Sequence, residues 1–438
     1  MARFGLLSFL ALAAPAARGL PRLRMASAAL RGGGGAGRKP LFCGPLTDAE
    51  TEGAADALDD AALAEVVARA WRPAGSIRRP DGLTVIPKWS GDTRWLWSQW
   101  DETVARHTWR RVTAAMATAA LVVARARSTV DPAALWPLGA APVAAASPFV
   151  GALAGLDAMW SHHLALTTFV ATFFLSQAYA FWKTTYDHAR VVQGRLNDVG
   201  LLLASARADS DDERARTLLE RVARRSRLAH LLFWAGVVRK APSDDHPTSF
   251  NALLSSRGTA ALVAAGAMTP AERDALLGTR LQRDSWYLTA MAWVAADVGD
   301  AAASPAFGGG SGVEQVLTKS LVDLRRGFAA ITDELAARMP KPYIHLVQVL
   351  VDLLTATAPF ALYPRGGAAA VGLSGVVALF FGGMLELSKA LLDPFGNRNV
   401  SNRRFGADIR VDVLLGEINA SLDAWPGRAA LRPNSPPL

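Results

Sequence analysis

The chain has 438 residues, of which 51% are hydrophobic and 19% charged, and its formal net charge at pH 7 is +9. It is more apolar than a soluble protein of this length, yet too polar to lie in a membrane throughout, so we expect membrane helices together with a soluble domain. The single cysteine, Cys43, excludes an intrachain disulfide framework and cysteine-rich metal sites.

Residues 1–40 have the composition of a targeting segment. An arginine, the apolar run LLSFLALAA and several small residues come first, as in a secretory signal peptide. The next residues are rich in Arg, Ala and Gly, and no acidic residue precedes Asp48, which is typical of a transit peptide. This combination resembles the two-part leader of plastids bounded by extra membranes. We therefore expect a plastid membrane location, with the thylakoid as first candidate; a secretory leader followed by a basic linker is the alternative.

Residues 41–88 form a predicted N-terminal soluble segment, in which Thr47 and Glu50 have the spacing of a capping box at a helix start. Residues 89–185 contain a predicted interfacial helix, rich in Trp and Arg, and a first membrane hairpin. The first span, near 109–124, is short and rich in alanine. The second, near 159–182, has no charge between Asp157 and Lys183.

Residues 186–338 are predicted to be a soluble helical domain. Within it, the segment AAGAMTPAERDALL has a well-formed helix start, because Thr269 can cap the helix, Pro270 suits the first helical position and Glu272 completes a capping box. Residues 397–438 are a C-terminal tail. Lys and Arg are concentrated on the flanks that join the spans to the soluble domain, so both termini and this domain are expected on one side of the membrane. In a plastid that side is the stroma.

Residues 339–396 contain two apolar runs of about 20 residues each, the length that crosses a bilayer, so they predict a second membrane hairpin. Four polar side chains of the first run are spaced three or four residues apart and share one helix face. They are His345, Gln348, Asp352 and Thr355. Glu386 lies near the end of the second run. A carboxyl group facing lipid is costly, so these groups either join helices or line a water-filled path.

The second hairpin also carries a family resemblance. The pattern MPKPY, then PFAL, then a second run that ends in LLDPFG, resembles the last two membrane helices of the bestrophins and their plant and bacterial relatives. The segment AGAMTPAER is similar to another bestrophin motif. The resemblance implies an all-α integral membrane protein with four membrane helices in two hairpins and a helical soluble domain. It also implies a homopentamer that conducts anions.

The resemblance implies a pore neck on the second span. Phe169 and Phe173 are four residues apart, and Ala165 precedes them at the same spacing. In a ring of identical subunits these residues would surround the axis. A one-residue slip would select Phe174 instead, and packing in the helix core is the alternative role for such aromatic residues.

A lower constriction of the family falls between Gly308 and Val313. Gly312 aligns with it, and Val313 is the nearest apolar side chain. The acidic run with which animal bestrophins bind calcium after their Pro-Phe-Gly is replaced here by NRNVSNRRF, so we expect no calcium gating by that clasp.

No nucleophile elbow, phosphate loop or metal-ligand spacing occurs in the sequence, so we expect neither an enzyme, nor a metal site, nor a cofactor. The predicted function is a passive channel for chloride, with bicarbonate or nitrate as further candidates. Its expected partners are further copies of the chain, inorganic anions and membrane lipids, and not nucleic acid. A proton-coupled secondary anion transporter using His345, Asp352 and Glu386, or a non-conducting membrane scaffold, are the alternatives.

Overall fold

A computed structural model describes residues 46–71, 85–86, 91–98, 103–128, 148–206, 212–239, 250–307, 311–397 and 407–428. Every regular element in these ranges is a helix, which confirms the predicted all-α fold. The α-helices are α1 (Asp48–Asp56), α2 (Asp60–Ala70), α3 (Thr93–Ser98), α4 (Val104–Ser128), α5 (Pro148–Ala206), α6 (Glu213–Val237), α7 (Ser256–Ala264), α8 (Pro270–Gly278), α9 (Trp286–Ala303), α10 (Ser311–Ala336), α11 (Lys341–Ala361), α12 (Tyr363–Gly366), α13 (Ala370–Leu391) and α14 (Val411–Arg428). The targeting segment 1–40 and the basic residues 398–404 lie outside the described residues.

Four of these helices form the membrane region. Two stretches are apolar and long enough to cross a bilayer: Gly155–Ala206, within α5, and Lys341–Leu391, which contains α11 and α13. Helix α4 is less apolar, but its 25 residues give about 38 Å of helix, and it packs along α13. The chain is therefore a membrane protein. Its four spans, in chain order, are α4, α5, α11 and α13.

Neighbouring spans run antiparallel. Early in α13, a side-chain carbon built on Gly375 would meet Met116 of α4, whereas further along α13 the same carbon on Gly383 would meet Val104 near the start of α4. Along α5 and α11, the Trp160 indole N–H donates to the Leu354 carbonyl, while Phe174 packs against Tyr343. The directions of the four spans thus agree with the predicted hairpins.

Helix α5 extends far beyond the membrane. Its 59 residues correspond to about 88 Å at 1.5 Å per residue, whereas the hydrocarbon core is about 30 Å thick. The basic sequence after Trp182 continues the same helix to Ala206 without a break. The second span therefore carries its orientation directly into the soluble domain.

The soluble domain is organised around α6 and an aromatic core. The second half of α6 is buried on all sides, from Ser226 to Val237. The Phe233 ring lies 4.4 Å from that of Phe328, and the Trp234 ring lies 5.2 Å from that of Phe395. This helix is the central element of the domain.

The Pro-Phe-Gly motif joins the fourth span to this core. Phe395 is buried against Trp234, and Gly396 has φ +62°, a conformation that glycine adopts without strain. The Asn397 side chain accepts from the Arg239 backbone N–H at 2.9 Å and donates to the Val237 carbonyl at 3.1 Å. The motif thus fixes the end of α6 to the end of the membrane region.

Both predicted capping boxes are present. Thr47 and Glu50 exchange hydrogen bonds at the start of α1, and Thr269 and Glu272 do so at the start of α8. Helix α1 is also bound to the soluble domain, because the Arg283 guanidinium lies 2.7 Å from carboxylate oxygens of both Asp48 and Glu52. Burial alone would raise the pKa of Glu52, but its hydrogen bonds with Arg283 and Ser256 lower it.

Candidate functional site

The packing of α5 fixes which of its faces is free. Its buried face contains Ala171, Phe174 and Ala178, each 3% exposed or less. Below them the Trp182 indole N–H donates to the Ala407 carbonyl at 2.7 Å. These contacts hold the helix in one rotation about its axis.

The opposite face of α5 carries the predicted neck residues. Phe169 is 73% exposed and Phe173 is 51% exposed, and Ala165 and Gln177 are exposed beside them. Four residues along an α-helix turn by about 400°, so each of these side chains is offset by only about 40° from the previous one. The structure therefore brings them together on one face of α5 that is largely exposed in the described part of the chain.

Phe174, the alternative neck residue, has a different environment. Its side chain is fully buried, and its ring packs edge-on against Tyr343 at 5.8 Å. Phe174 therefore belongs to the packing between the second and third spans. Whether Phe169 and Phe173 line a pore depends on what covers their face, and that role stays a prediction.

Three of the four predicted polar residues within the membrane belong to one charged cluster, which is centred on Arg111 of the first span. The Arg111 guanidinium lies 3.3 Å from the Glu386 carboxylate of the fourth span and 3.8 Å from that of Asp352 in the third. Gln348 donates to Asp352 at 2.6 Å, and Lys389 donates to Glu386 at 3.2 Å. The cluster links three spans by opposite charges.

The remaining polar side chains of this stripe are placed differently. His345 is exposed, and the Thr355 hydroxyl donates to the Val351 carbonyl of its own helix. On α5, the adjacent His162 and His163 point to different sides: His162 is exposed, while His163 Nε2 lies 3.0 Å from the Leu350 carbonyl oxygen. Among the described residues no group of three or more His, Cys, Asp or Glu could hold a metal ion.

The predicted lower constriction lies at the start of α10. Gly312 is exposed, and among the described residues no other helix comes within 4 Å of a side-chain carbon built there. Val313 is half-buried and packs against a separate apolar cluster that includes Val199 and Leu203 of α5. Their role as a constriction stays a prediction.

Sequence reasoning missed two features of this region. The first is the role of Arg111, whose carboxylate partners are more than 200 residues away in the chain. The second is an ion pair on the free face of α5, between Lys183 and Asp187. Its spacing of four residues is the available sequence signal, since residues four apart share a helix face.

This arrangement defines a class of protein: an α-helical membrane protein whose second span continues into a helical soluble domain. Its fold is that of the bacterial bestrophin homologues. The chain is 14% identical to a bestrophin homologue from Klebsiella pneumoniae, with a TM-score of 0.51 over 72% of this chain and 97% of that one. Two single-substitution variants of that homologue, at 14% and 15% identity, give TM-scores of 0.53 and 0.52, over 73% and 72% of this chain and 99% and 98% of theirs.

Comparisons by sequence find less. No family model matches the chain, and no curated protein matches it. The resemblance predicted from the motifs is thus confirmed at the level of the fold.

Proposed function

We propose that the protein is a passive anion channel, formed by five copies of the chain around a central pore. Chloride is the first candidate ion, and bicarbonate and nitrate are further candidates. The observation that carries this proposal is the free face of α5, where Ala165, Phe169, Phe173 and Gln177 are all exposed. A glutamine amide on an apolar span is costly against lipid, so this face suits a pore better than a lipid boundary.

The chemistry of the two phenylalanines suits anions. Phenyl rings have a negative face and positive edges, so rings that point their edges at an axis favour a partly dehydrated anion over a cation. Two such rings in series also form an apolar constriction, which resists water when it is narrow. Ala165 is small, so the outer end of this neck is wide.

Exposed apolar residues beyond the membrane support self-association. Val191 and Leu201 on the lower part of α5 are 46% and 47% exposed, and Val316 and Val322 on α10 are 48% and 51% exposed. Exposed apolar side chains on both helices would form such a contact surface if copies of the chain pack side by side. Further copies of the same chain would cover it.

The charged cluster argues against the transporter alternative. A proton relay needs carboxyl groups that gain and lose protons during transport. Asp352 and Glu386 instead form ion pairs with Arg111 of the first span, which tie the third and fourth spans to it. Their arrangement supports a role in joining the spans.

Purified protein in planar bilayers tests the proposal. We expect current in both directions at fixed pH, a reversal potential that follows the chloride gradient, and the size of five chains. No anion current in any gradient, or a monomer, would contradict it. Uptake that requires a proton gradient would favour the transporter, and a pentamer without current would favour the scaffold.

We further propose a plastid membrane location, with the thylakoid membrane first, and with the soluble domain in the stroma. The support is the leader composition and the distribution of Lys and Arg. A fluorescent fusion of residues 1–60 should enter the plastid. A fusion that stops in the secretory pathway would refute this location.

A further inference from the structure

A charged pair follows the neck residues on the same face of α5. Asp187 lies 18 residues after Phe169, which is five full turns of an α-helix, so the two side chains share one direction from the helix axis. Lys183 is one turn earlier and forms an ion pair with Asp187. Their side chains are 49% and 53% exposed.

The surrounding contacts keep this pair pointing away from the chain's own core. Trp182, next to Lys183, is buried and stacks on Tyr186, with ring centroids 5.8 Å apart. Thr185 is fully buried on the same inner side. Only the flank of α5 that carries Phe169 and Phe173 is left for Lys183 and Asp187.

Another basic residue nearby is engaged elsewhere. The Arg190 guanidinium donates to Glu417 of α14 and to Gln193, both at 2.7 Å. It is therefore part of the packing between α5 and α14. Lys183, by contrast, forms its ion pair with Asp187 on the same exposed face, and its ammonium lies 6.0 Å from the ring centroid of Tyr186.

We propose that Lys183 and Asp187 form a charged ring at the inner mouth of the pore, between the neck and the soluble domain. This inference rests on the proposed function. Five copies of Lys183 attract small inorganic anions to the entrance, and five copies of Asp187 limit that attraction so that the anions can leave. The pair thereby sets the conductance at low anion concentration and the preference for anions over cations.

Electrostatics gives the two residues opposite effects. A ring of one charge sign raises the local concentration of counter-ions, and salt screens the effect. At about 10 mM salt the Debye length is about 30 Å, so five ammonium groups act together across a pore mouth, whereas at about 1 M it is about 3 Å and they do not. A pair that only stabilises the helix would leave conduction unchanged.

The test uses two variants of similar size, Lys183→Gln and Asp187→Asn, in the full-length protein. Arg216→Gln and Glu220→Gln are the matched controls, because Arg216 and Glu220 form an ion pair with the same four-residue spacing on α6, at 55% and 51% exposure. Single-channel current is measured in planar bilayers at low and high potassium chloride, together with reversal potentials in a gradient. A melting curve and a sizing profile accompany each variant.

The expected results have opposite signs. Lys183→Gln lowers the current at about 10 mM chloride by about twofold or more and weakens anion preference, while Asp187→Asn raises both; these differences shrink near 1 M salt. The two control variants behave like the unmodified protein.

Two sets of results separate the possible failures. In the first set, the unmodified protein conducts anions, but neither variant differs from its control or both variants lose current equally. The proposed charged ring is then wrong, while the proposed channel function is retained. If the unmodified protein carries no anion current, the proposed function fails and the ring fails with it.

Discussion

The ring of Phe174 packs edge-on against the ring of Tyr343, with centroids 5.8 Å apart and planes inclined at 72°. This contact joins the second span to the third and fixes the rotation of α5. Phe173, the adjacent residue, lies about 100° further around the helix and is 51% exposed. Of these two neighbouring phenylalanines, one is buried and the other is exposed. Variants of each can therefore test helix packing and conduction separately.

The first prediction uses this contrast. Phe174→Ala removes a fully buried ring and should reduce the free energy of unfolding by about 3–5 kcal/mol. The double variant Phe169→Ala and Phe173→Ala removes exposed rings and should be far less costly. If the rings form a constriction, the double variant should also conduct with a higher open probability. Thermal melting in detergent and bilayer recording measure the two effects.

A different result would move these residues out of the pore. A double variant that is as unstable as Phe174→Ala, with unaltered gating in the protein that survives, would assign Phe169 and Phe173 to packing between chains.

Local sequence patterns were sufficient for much of the fold. Long apolar runs identified the second, third and fourth spans, and the Thr-x-x-Glu spacing identified the starts of α1 and α8. These features depend on residues close together in the chain. The sequence could not predict that α5 continues to Ala206, because the arrival of charged residues marks the exit from the membrane and not the end of a helix.

The candidate site was less predictable, because it depends on contacts between distant parts of the chain. The choice between Phe173 and Phe174 is made by Tyr343, almost 170 residues later. The partners of Arg111 lie in the third and fourth spans. Helix periodicity gives the set of residues on each face, but tertiary packing decides which face is buried.

The second prediction concerns the cluster that joins the spans. Glu386→Gln leaves the Arg111 charge without its nearest carboxylate, and Arg111→Gln does the reverse, so each variant should lower the melting temperature. Because the two residues interact, the double variant should lose less stability than the sum of the single variants, by about 1 kcal/mol.

A proton-gradient uptake assay in liposomes tests the transporter alternative on the same variants. We expect the anion flux to be independent of the proton gradient in all of them. A stable Glu386→Gln protein that loses only proton-driven uptake would support the proton-relay alternative.

The third prediction concerns the close approach of the first and fourth spans. The small residues Ser374, Ala378 and Gly382 of α13 lie four residues apart, and all three are buried. The tighter contact is at the next residue, where a side-chain carbon on Gly383 would clash with Val104 Cγ1. Gly383→Ala should therefore force the spans apart and cost about 1–3 kcal/mol.

Gly372→Ala, on the same helix, is the matched control. Among the described residues no side chain and no other helix comes within 4 Å of a side-chain carbon at Gly372, so alanine there should be neutral or should stabilise the helix by up to about 1 kcal/mol. Equal melting temperatures for the two variants would mean that α4 and α13 do not pack as described.

The fourth prediction concerns acid stability of the soluble domain. Glu272, which caps α8, also accepts hydrogen bonds from Arg224 at 2.7 and 2.8 Å and from Arg225 at 2.8 Å. Burial alone would raise the pKa of Glu272, but the bonds from Arg224, the Thr269 backbone N–H and Arg225 outweigh it and hold this pKa at about 2, below the usual 4.5.

The sign of the pH dependence follows from that lowered pKa. A carboxyl group with a lower pKa in the folded state binds fewer protons than in the unfolded state, so its stabilising effect is complete above about pH 4.5 and is lost as the pH falls towards 2. Glu272→Gln should lower the free energy of unfolding by about 3 kcal/mol at pH 7, because Arg224 and Arg225 lose a buried partner. The gap between this variant and the unmodified protein should close between pH 4.5 and 2. Melting curves across this pH range measure the difference in stability, with the exposed Glu220→Gln as control. A difference that stays constant with pH would show that protonation of Glu272 is not coupled to unfolding.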